Sequence, residues 1–84
     1  MRHRATPRFW ECYRRLPVEI QALADRCYAM LQADLRHPSL RLKKVDDYWS
    51  VRVGLHYRAL AIEDGGDLVW VWIGTHAEYD ELIK

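Results

Sequence analysis

The segment from Ile20 to Leu35 constrains the fold of this chain more than any other. Ile20, Leu23, Ala24, Cys27, Tyr28, Leu31 and Leu35 recur three and four residues apart, in the i, i+3, i+4, i+7 pattern. On a helix they form a single apolar stripe, which must be buried against another element. Pro17 stands where such a helix begins, and His37-Pro38 marks its end, because the residue before a proline avoids helical backbone. A shorter helix precedes it. Thr6 can cap with its hydroxyl, Pro7 occupies a position that needs no N–H, and Phe9, Trp10, Tyr13 and Leu16 then fall on one face. Two amphipathic helices this close form a hairpin with one shared apolar surface.

The second half of the chain supplies the surface they pack on. Residues 40–45, 48–53, 57–63 and 67–74 read as strands, separated by Asp46-Asp47, by Gly54-Leu55-His56 and by the turn Asp64-Gly65-Gly66. In the third quarter Trp49, Val51 and Val53 alternate with Ser50 and Arg52, so one face is apolar and Arg52 points outward. The last strand is apolar throughout from Leu68 to Ile73. Strict alternation places Val69, Val71 and Ile73 on one side and Trp70 and Trp72 on the other, so both sides call for cover. Residues 1–5 carry a weak pattern for a further strand. The expectation is an α+β fold, one domain spanning residues 1–84: an N-terminal helical hairpin on an antiparallel sheet of four strands, or five if residues 1–5 join it, followed by a short C-terminal helix. The hairpin covers one side, which leaves the other for a third element or a partner chain.

Eighty-four residues, half of them hydrophobic, build a modest core. The formal net charge of +1 conceals segregation. Arg2, Arg4, Arg8, Arg14 and Arg15 face only Glu11 in the first fifteen residues, and the middle of the chain carries Arg36, Arg41, Lys43, Lys44, Arg52 and Arg58 near Asp46 and Asp47, while the last quarter is acidic. Such a distribution can form a local basic surface for phosphate, or simply a solvated charged face. Cys12 and Cys27 lack the spacing of a metal or redox pair and read as reduced, buried thiols. No metal or cofactor is expected. No stretch approaches the roughly 20 apolar residues of a membrane span, and a cytoplasmic location is expected.

Chemistry is concentrated where the last strand stops. After Gly74, Thr75-His76-Ala77-Glu78 fits a capping box, in which Thr75 accepts from the Glu78 N–H and Glu78 reaches back to Thr75. Tyr79, Leu82 and Ile83 continue a short amphipathic helix with His76 in its first turn. A helix start disfavours an imidazolium, so His76 tends towards the neutral form that can accept a proton. Alternatively, it is merely a polar residue at a helix start.

The order of a helical hairpin, a meander containing "YWSVRVG" and "YRAL", and a strand ending in "IGTHAEYDEL" resembles the RelE/ParE superfamily of bacterial toxins over nearly the whole chain. The resemblance implies a toxin neutralised by a cognate antitoxin. It implies either a RelE-like ribonuclease that cuts messenger RNA on the ribosome, the branch favoured here, or a ParE-like protein that poisons DNA gyrase without catalysis. A degenerate member that only binds its antitoxin is a third possibility. By resemblance, Arg58 holds the scissile phosphate, Arg52 is a basic residue on the adjoining strand, His76 stands where RelE-like nucleases carry a catalytic histidine or arginine, and Tyr79 stacks on a base or assists proton transfer. Arg41, Lys43 and Lys44 lie where related proteins grip RNA.

Cleavage by the RNA's own 2′-hydroxyl needs a base, cations for the charged phosphorane and an acid for the leaving 5′-oxygen. His76 can serve as base or, protonated, as acid, while Arg52 and Arg58 cannot lose their protons and stabilise charge. A clear second acid/base group is missing. His56, in the turn before Tyr57-Arg58, is a candidate, although a turn histidine is more often only solvated. His3 and His37 have weaker claims.

Overall fold

A computed structural model describes residues 2–84. Strand β1 (His3–Ala5) leads into helix α1 (Pro7–Arg14) and helix α2 (Val18–Ala33). After a 3-10 turn at Pro38–Leu40 come strands β2 (Lys43–Val45), β3 (Tyr48–Val53), β4 (Tyr57–Asp64) and β5 (Asp67–Thr75), then helix α3 (His76–Leu82). The strands form one five-stranded sheet in the order β1-β5-β4-β3-β2. The meander β2–β5 is antiparallel, and β1 pairs in parallel with β5 through His3↔Leu68, Arg4↔Val69 and Ala5↔Trp70. The weak strand pattern at the N-terminus is thus real, and Met1 lies outside the described residues.

Both ends of α1 follow from its residues. The Thr6 hydroxyl accepts from the Phe9 N–H at 3.2 Å, and the Arg15 N–H returns to the Cys12 carbonyl. Helix α2 ends earlier than the proline alone implies. Asp34 leaves helical backbone and its carboxylate accepts from the Arg36 N–H at 3.0 Å, a local bond that competes with another helical turn. The strand expected over residues 40–45 is likewise shortened to Lys43–Val45. Pro38–Leu40 form the 3-10 turn, Arg41 takes left-handed backbone (φ 46°), and Leu40 is thereby turned into the core with no exposed surface. Between β4 and β5, Gly65 and Gly66 both have positive φ, the backbone that a tight two-residue hairpin requires.

The hairpin covers one face of the sheet. Leu16, Cys27 and Leu31 pack there with Val51, Val53, Ala59, Ala61, Leu68, Trp70 and Ile73. The alternation expected for β5 does not survive intact, because the β4–β5 register shifts between Leu60 and Ala61. Leu60 opposes Trp72 while Ala61 opposes Trp70, leaving Val71 as an extra residue. This bulge reverses the parity of the strand. Trp70 and Ile73, expected on opposite sides, share the hairpin core; Trp72, expected beside Trp70, joins Leu60 and Tyr79 in a second cluster on the other face. Helix α3 covers that second cluster. Beyond it the face is open, with Tyr48 and Ile62 exposed.

Candidate functional site

The face beneath α3 is where the charged residues converge. Arg52 of β3 and Arg58 of β4 are direct cross-strand partners. Two like charges set opposite each other disfavour pairing. Here local acceptors hold them: Arg52 Nε donates to the Gly54 carbonyl at 3.0 Å, and Arg58 Nη1 donates to Ser50 Oγ at 3.2 Å. Ser50 is wholly buried. Neither arginine takes part in an ion pair among the described residues, whose pairs are Arg4 with Asp64 and Asp67, His76 with Asp80, and Lys84 with Glu81.

Tyr79 lies under this pair. Its ring centroid is 5.1 Å from the Arg58 guanidinium carbon, within cation–π range, and its residue is only 2% exposed. Two buried groups here lack a hydrogen-bond partner among the described residues, Arg58 Nε and the Tyr79 hydroxyl. Buried donors without partners are uncommon, and both of these are enclosed where the Arg58 guanidinium of β4 meets the Tyr79 ring of α3.

The start of α3 is fixed on three sides. Thr75 Oγ1 accepts from the Glu78 N–H at 3.1 Å, and Glu78 Oε1 accepts from the Thr75 N–H at 2.9 Å, so the expected capping box is complete. The Thr75 N–H and the Thr75 hydroxyl, both donating to Glu78 Oε1, hold that carboxyl below its ordinary pKa, helped by Arg15. The His76 N–H donates to the His56 carbonyl at 2.7 Å, tying the helix to the β3–β4 turn. Gly74 makes the close return possible, since a Cβ there would collide with the Trp72 ring and lie 2.9 Å from Glu78 Oε1. His76 is exposed, its ring 5.7 Å from that of Tyr79, and its Nδ1 is 3.1 Å from Asp80 Oδ2 one helical turn on. With Nδ1–H donated to that carboxylate, Nε2 carries the lone pair. Asp80 is a partner that the sequence reading missed, although its i,i+4 spacing from His76 was the available signal.

The residues singled out in the sequence are thus partly assembled. Arg52, Arg58, His76 and Tyr79 occupy one end of one sheet face. Lys43 is the register partner of Ser50 and shares that face. Lys44 lies instead over the Trp49 ring, 5.6 Å from its centroid, and pairs with Trp49 on the hairpin side, while Arg41 sits in the left-handed turn before β2. The basic cluster is therefore divided between the faces. His3 and His37 have structural partners: Trp70 Nε1 donates to His3 Nδ1, and the Ser39 N–H donates to His37 Nδ1. Cys27 is buried, Cys12 only partly, and both are free. Among the described residues no helix is long and apolar enough to cross a membrane.

Residues 19–81 match the family model described as ParE-like toxin domain, three quarters of the chain. The chain belongs to that family. It is a ParE-like toxin domain with the fold of RelE and YoeB/ParE toxins. No curated protein matches its sequence. Solved structures resemble it at the level of fold. The toxin superposes on a RelB–RelE antitoxin–toxin complex from Methanococcus jannaschii with a TM-score of 0.70 at 16% identity, covering 96% of this chain and 99% of that one. A YoeB/ParE toxin from Agrobacterium tumefaciens gives 0.68 at 15% identity, covering 90% and 99%. A copper-bound mutant toxin from Helicobacter pylori gives 0.62 at 9% identity, covering 93% and 97%. These likenesses span nine-tenths or more of the chain and are likenesses of fold.

Proposed function

We propose that this toxin is an endoribonuclease that cuts messenger RNA on the ribosome and is neutralised by a cognate antitoxin. The observation that carries the reading is the Arg52/Arg58 pair, opposed across two strands, unneutralised by any carboxylate among the described residues, and set against the unpartnered Tyr79 hydroxyl. Two guanidiniums left without a carboxylate partner among the described residues on one sheet face suit the charge that a scissile phosphate brings and develops.

In this reading the phosphodiester lies over Arg58, with Arg52 beside it, and their fixed charges offset the negative charge that develops on the phosphorane. Ser50 orients Arg58 from below, and the Tyr79 ring holds the guanidinium plane. His76, its Nδ1–H donated to Asp80, accepts the 2′-hydroxyl proton at Nε2. Lys43, on the same face, extends the positive path for the RNA backbone, whereas Lys44 lies on the opposite face over Trp49 and Arg41 in the turn before β2. No step draws on a cofactor.

The family description itself favours a second reading, a non-enzymatic gyrase poison, in which the same arginines bind protein. The antitoxin is proposed from the RelB–RelE complex that shares this fold. One experiment separates the two functions. The chain is induced without the neighbouring reading frame, and messenger RNA ends on isolated ribosomes are sequenced within minutes. New ends inside codons at the ribosomal A site support the nuclease; growth arrest with intact messenger RNA and broken or relaxed DNA supports gyrase. Coexpression with the neighbouring frame restores growth in either case.

A further inference from the structure

The cleavage chemistry needs two proton-transfer groups, and the site so far described has one. We infer that His56 is the second, the acid that protonates the leaving 5′-oxygen; this rests on the nuclease reading above. The inference starts from the backbone. The His76 N–H donates to the His56 carbonyl at 2.7 Å, continuing the β4–β5 ladder one step past Tyr57↔Thr75. Backbones joined in this way run about 5 Å apart, so the two histidines stand side by side at one end of the sheet. The bond uses main-chain atoms only and fixes both residues whatever their side chains do.

Along the chain His56 stands two residues before Arg58, so the turn histidine and the phosphate-binding arginine are separated by a single residue. The imidazoles differ in their company. His76 Nδ1 is held by Asp80. His56 is exposed and its ring makes no hydrogen bond or ion pair among the described residues, so it is free to give a proton to solvent or substrate. In this division His76, oriented through Nδ1 by Asp80, accepts at Nε2, and His56, whose ring is held by no protein partner among the described residues, donates.

The step balances as follows. The 2′-oxygen bonds to phosphorus as its proton passes to His76 Nε2, and the bond from phosphorus to the 5′-oxygen breaks as His56 supplies the proton to that oxygen. The products are a 2′,3′-cyclic phosphate and a 5′-hydroxyl. Solvent then returns His76 to its neutral form and His56 to its protonated form. Arg52 and Arg58 keep their protons throughout.

The test uses single-turnover cleavage of a short messenger RNA on programmed ribosomes, with either an ordinary linkage or a sulfur in place of the bridging 5′-oxygen. A thiolate leaves without needing a proton. His56→Ala is expected to slow the ordinary linkage by roughly 10²-fold or more and to cleave the sulfur linkage at close to the wild-type rate. His76→Ala is expected to be slow on both. In the pH profile, His56→Ala should lose the fall at high pH while keeping the rise. His56→Ala cleaving the ordinary linkage at the wild-type rate, or equally slow on both linkages, overturns the assignment and leaves the nuclease reading in place. A wild-type protein that cleaves neither linkage overturns both. Because the His56 side chain is exposed and the tether is main chain, an unchanged melting temperature in His56→Ala confirms that the comparison is made on a folded protein.

Discussion

The Arg58 guanidinium carbon stands 5.1 Å from the centre of the Tyr79 ring, so the charge on β4 is held against an aromatic residue of α3 and not against a carboxylate. That arrangement keeps the full positive charge available to a ligand, since a ring face orients a cation without neutralising it. Arg58→Ala is therefore expected to reduce messenger RNA cleavage by about 10²- to 10³-fold and to relieve growth arrest. Arg58→Lys retains a point charge but cannot keep both the Ser50 bond and the planar stacking, so it should recover only part of the activity. Growth arrest of undiminished strength in Arg58→Ala would contradict the phosphate-holding role.

Tyr79→Phe tests the unpartnered hydroxyl. The ring packs with Leu60 and Trp72 and that packing survives the change. Removing a buried hydroxyl without a protein partner relieves a desolvation cost, so the melting temperature should stay level or rise slightly. Cleavage should nevertheless fall, by an amount of order 10²-fold if the hydroxyl binds a charged oxygen in the transition state. A marked loss of thermal stability would show that the hydroxyl has a structural partner after all.

Gly74→Ala acts on the connection between sheet and helix. The added Cβ meets the Trp72 ring and the Glu78 carboxylate, and both neighbours are occupied in packing or capping. Destabilisation of about 1–3 kcal/mol is expected from the overpacking, measured by urea denaturation, together with loss of activity as His76 and Tyr79 shift. A stable, fully active Gly74→Ala protein would show that α3 does not need this close approach.

The order of elements was legible because periodicity reports burial: Ile20, Leu23, Ala24, Cys27 and Leu31 of the expected stripe reached the core, although Tyr28 stayed exposed at its margin, and the Gly65-Gly66 turn formed where both residues can take positive φ. The side that each β5 residue faces was not legible. Val71 is an apolar residue among apolar residues, and a bulge there leaves no mark in the composition, yet it moves Trp72 from the hairpin core to the site. Asp34 shortened α2 by a local side-chain bond, whereas the sequence reading weighed only the proline beyond it. At the site, strand alternation pointed Arg52 outward, whereas its grouping with Arg58 came from the resemblance to the RelE/ParE superfamily and is now seen as a cross-strand register pair. Ser50 did not stand out, because a serine between outward-facing residues reads as surface until the neighbouring strands and the Arg58 side chain bury it.

His3 couples stability to pH. Trp70 Nε1 donates to His3 Nδ1 at 3.1 Å, which requires a lone pair on that nitrogen, and burial holds the imidazole pKa below its ordinary value of 6.5. The unfolded chain then binds the proton more readily than the folded one. The stabilisation is present above the ordinary histidine pKa and is lost as pH falls through 6.5 towards the lower folded value. The melting temperature of the wild type should drop between about pH 7.5 and about pH 5.5 by more than that of His3→Ala, which lacks the titrating group and starts lower. Equal slopes in the two proteins would remove His3 as the cause.

The pairing of His76 with Asp80 allows proton transfer to be separated from structure. If His76 takes the 2′-hydroxyl proton, His76→Ala should lower the single-turnover cleavage rate by roughly 10²- to 10⁴-fold with little change in ribosome affinity, since the proton moves only in the transition state. The capping box of Thr75 and Glu78 does not involve the imidazole, so α3 should stay folded. His76→Asn keeps a polar side chain that can still hydrogen-bond to Asp80 but cannot exchange a proton near neutral pH, and it should be nearly as inactive as the alanine variant. Asp80→Asn keeps an acceptor for Nδ1–H without the charge and should give a smaller loss, visible in the rate and absent from the affinity. Normal cleavage by His76→Asn would reduce His76 to a helix-start residue and leave the Arg52/Arg58 pair as a binding surface, the outcome that favours the gyrase reading.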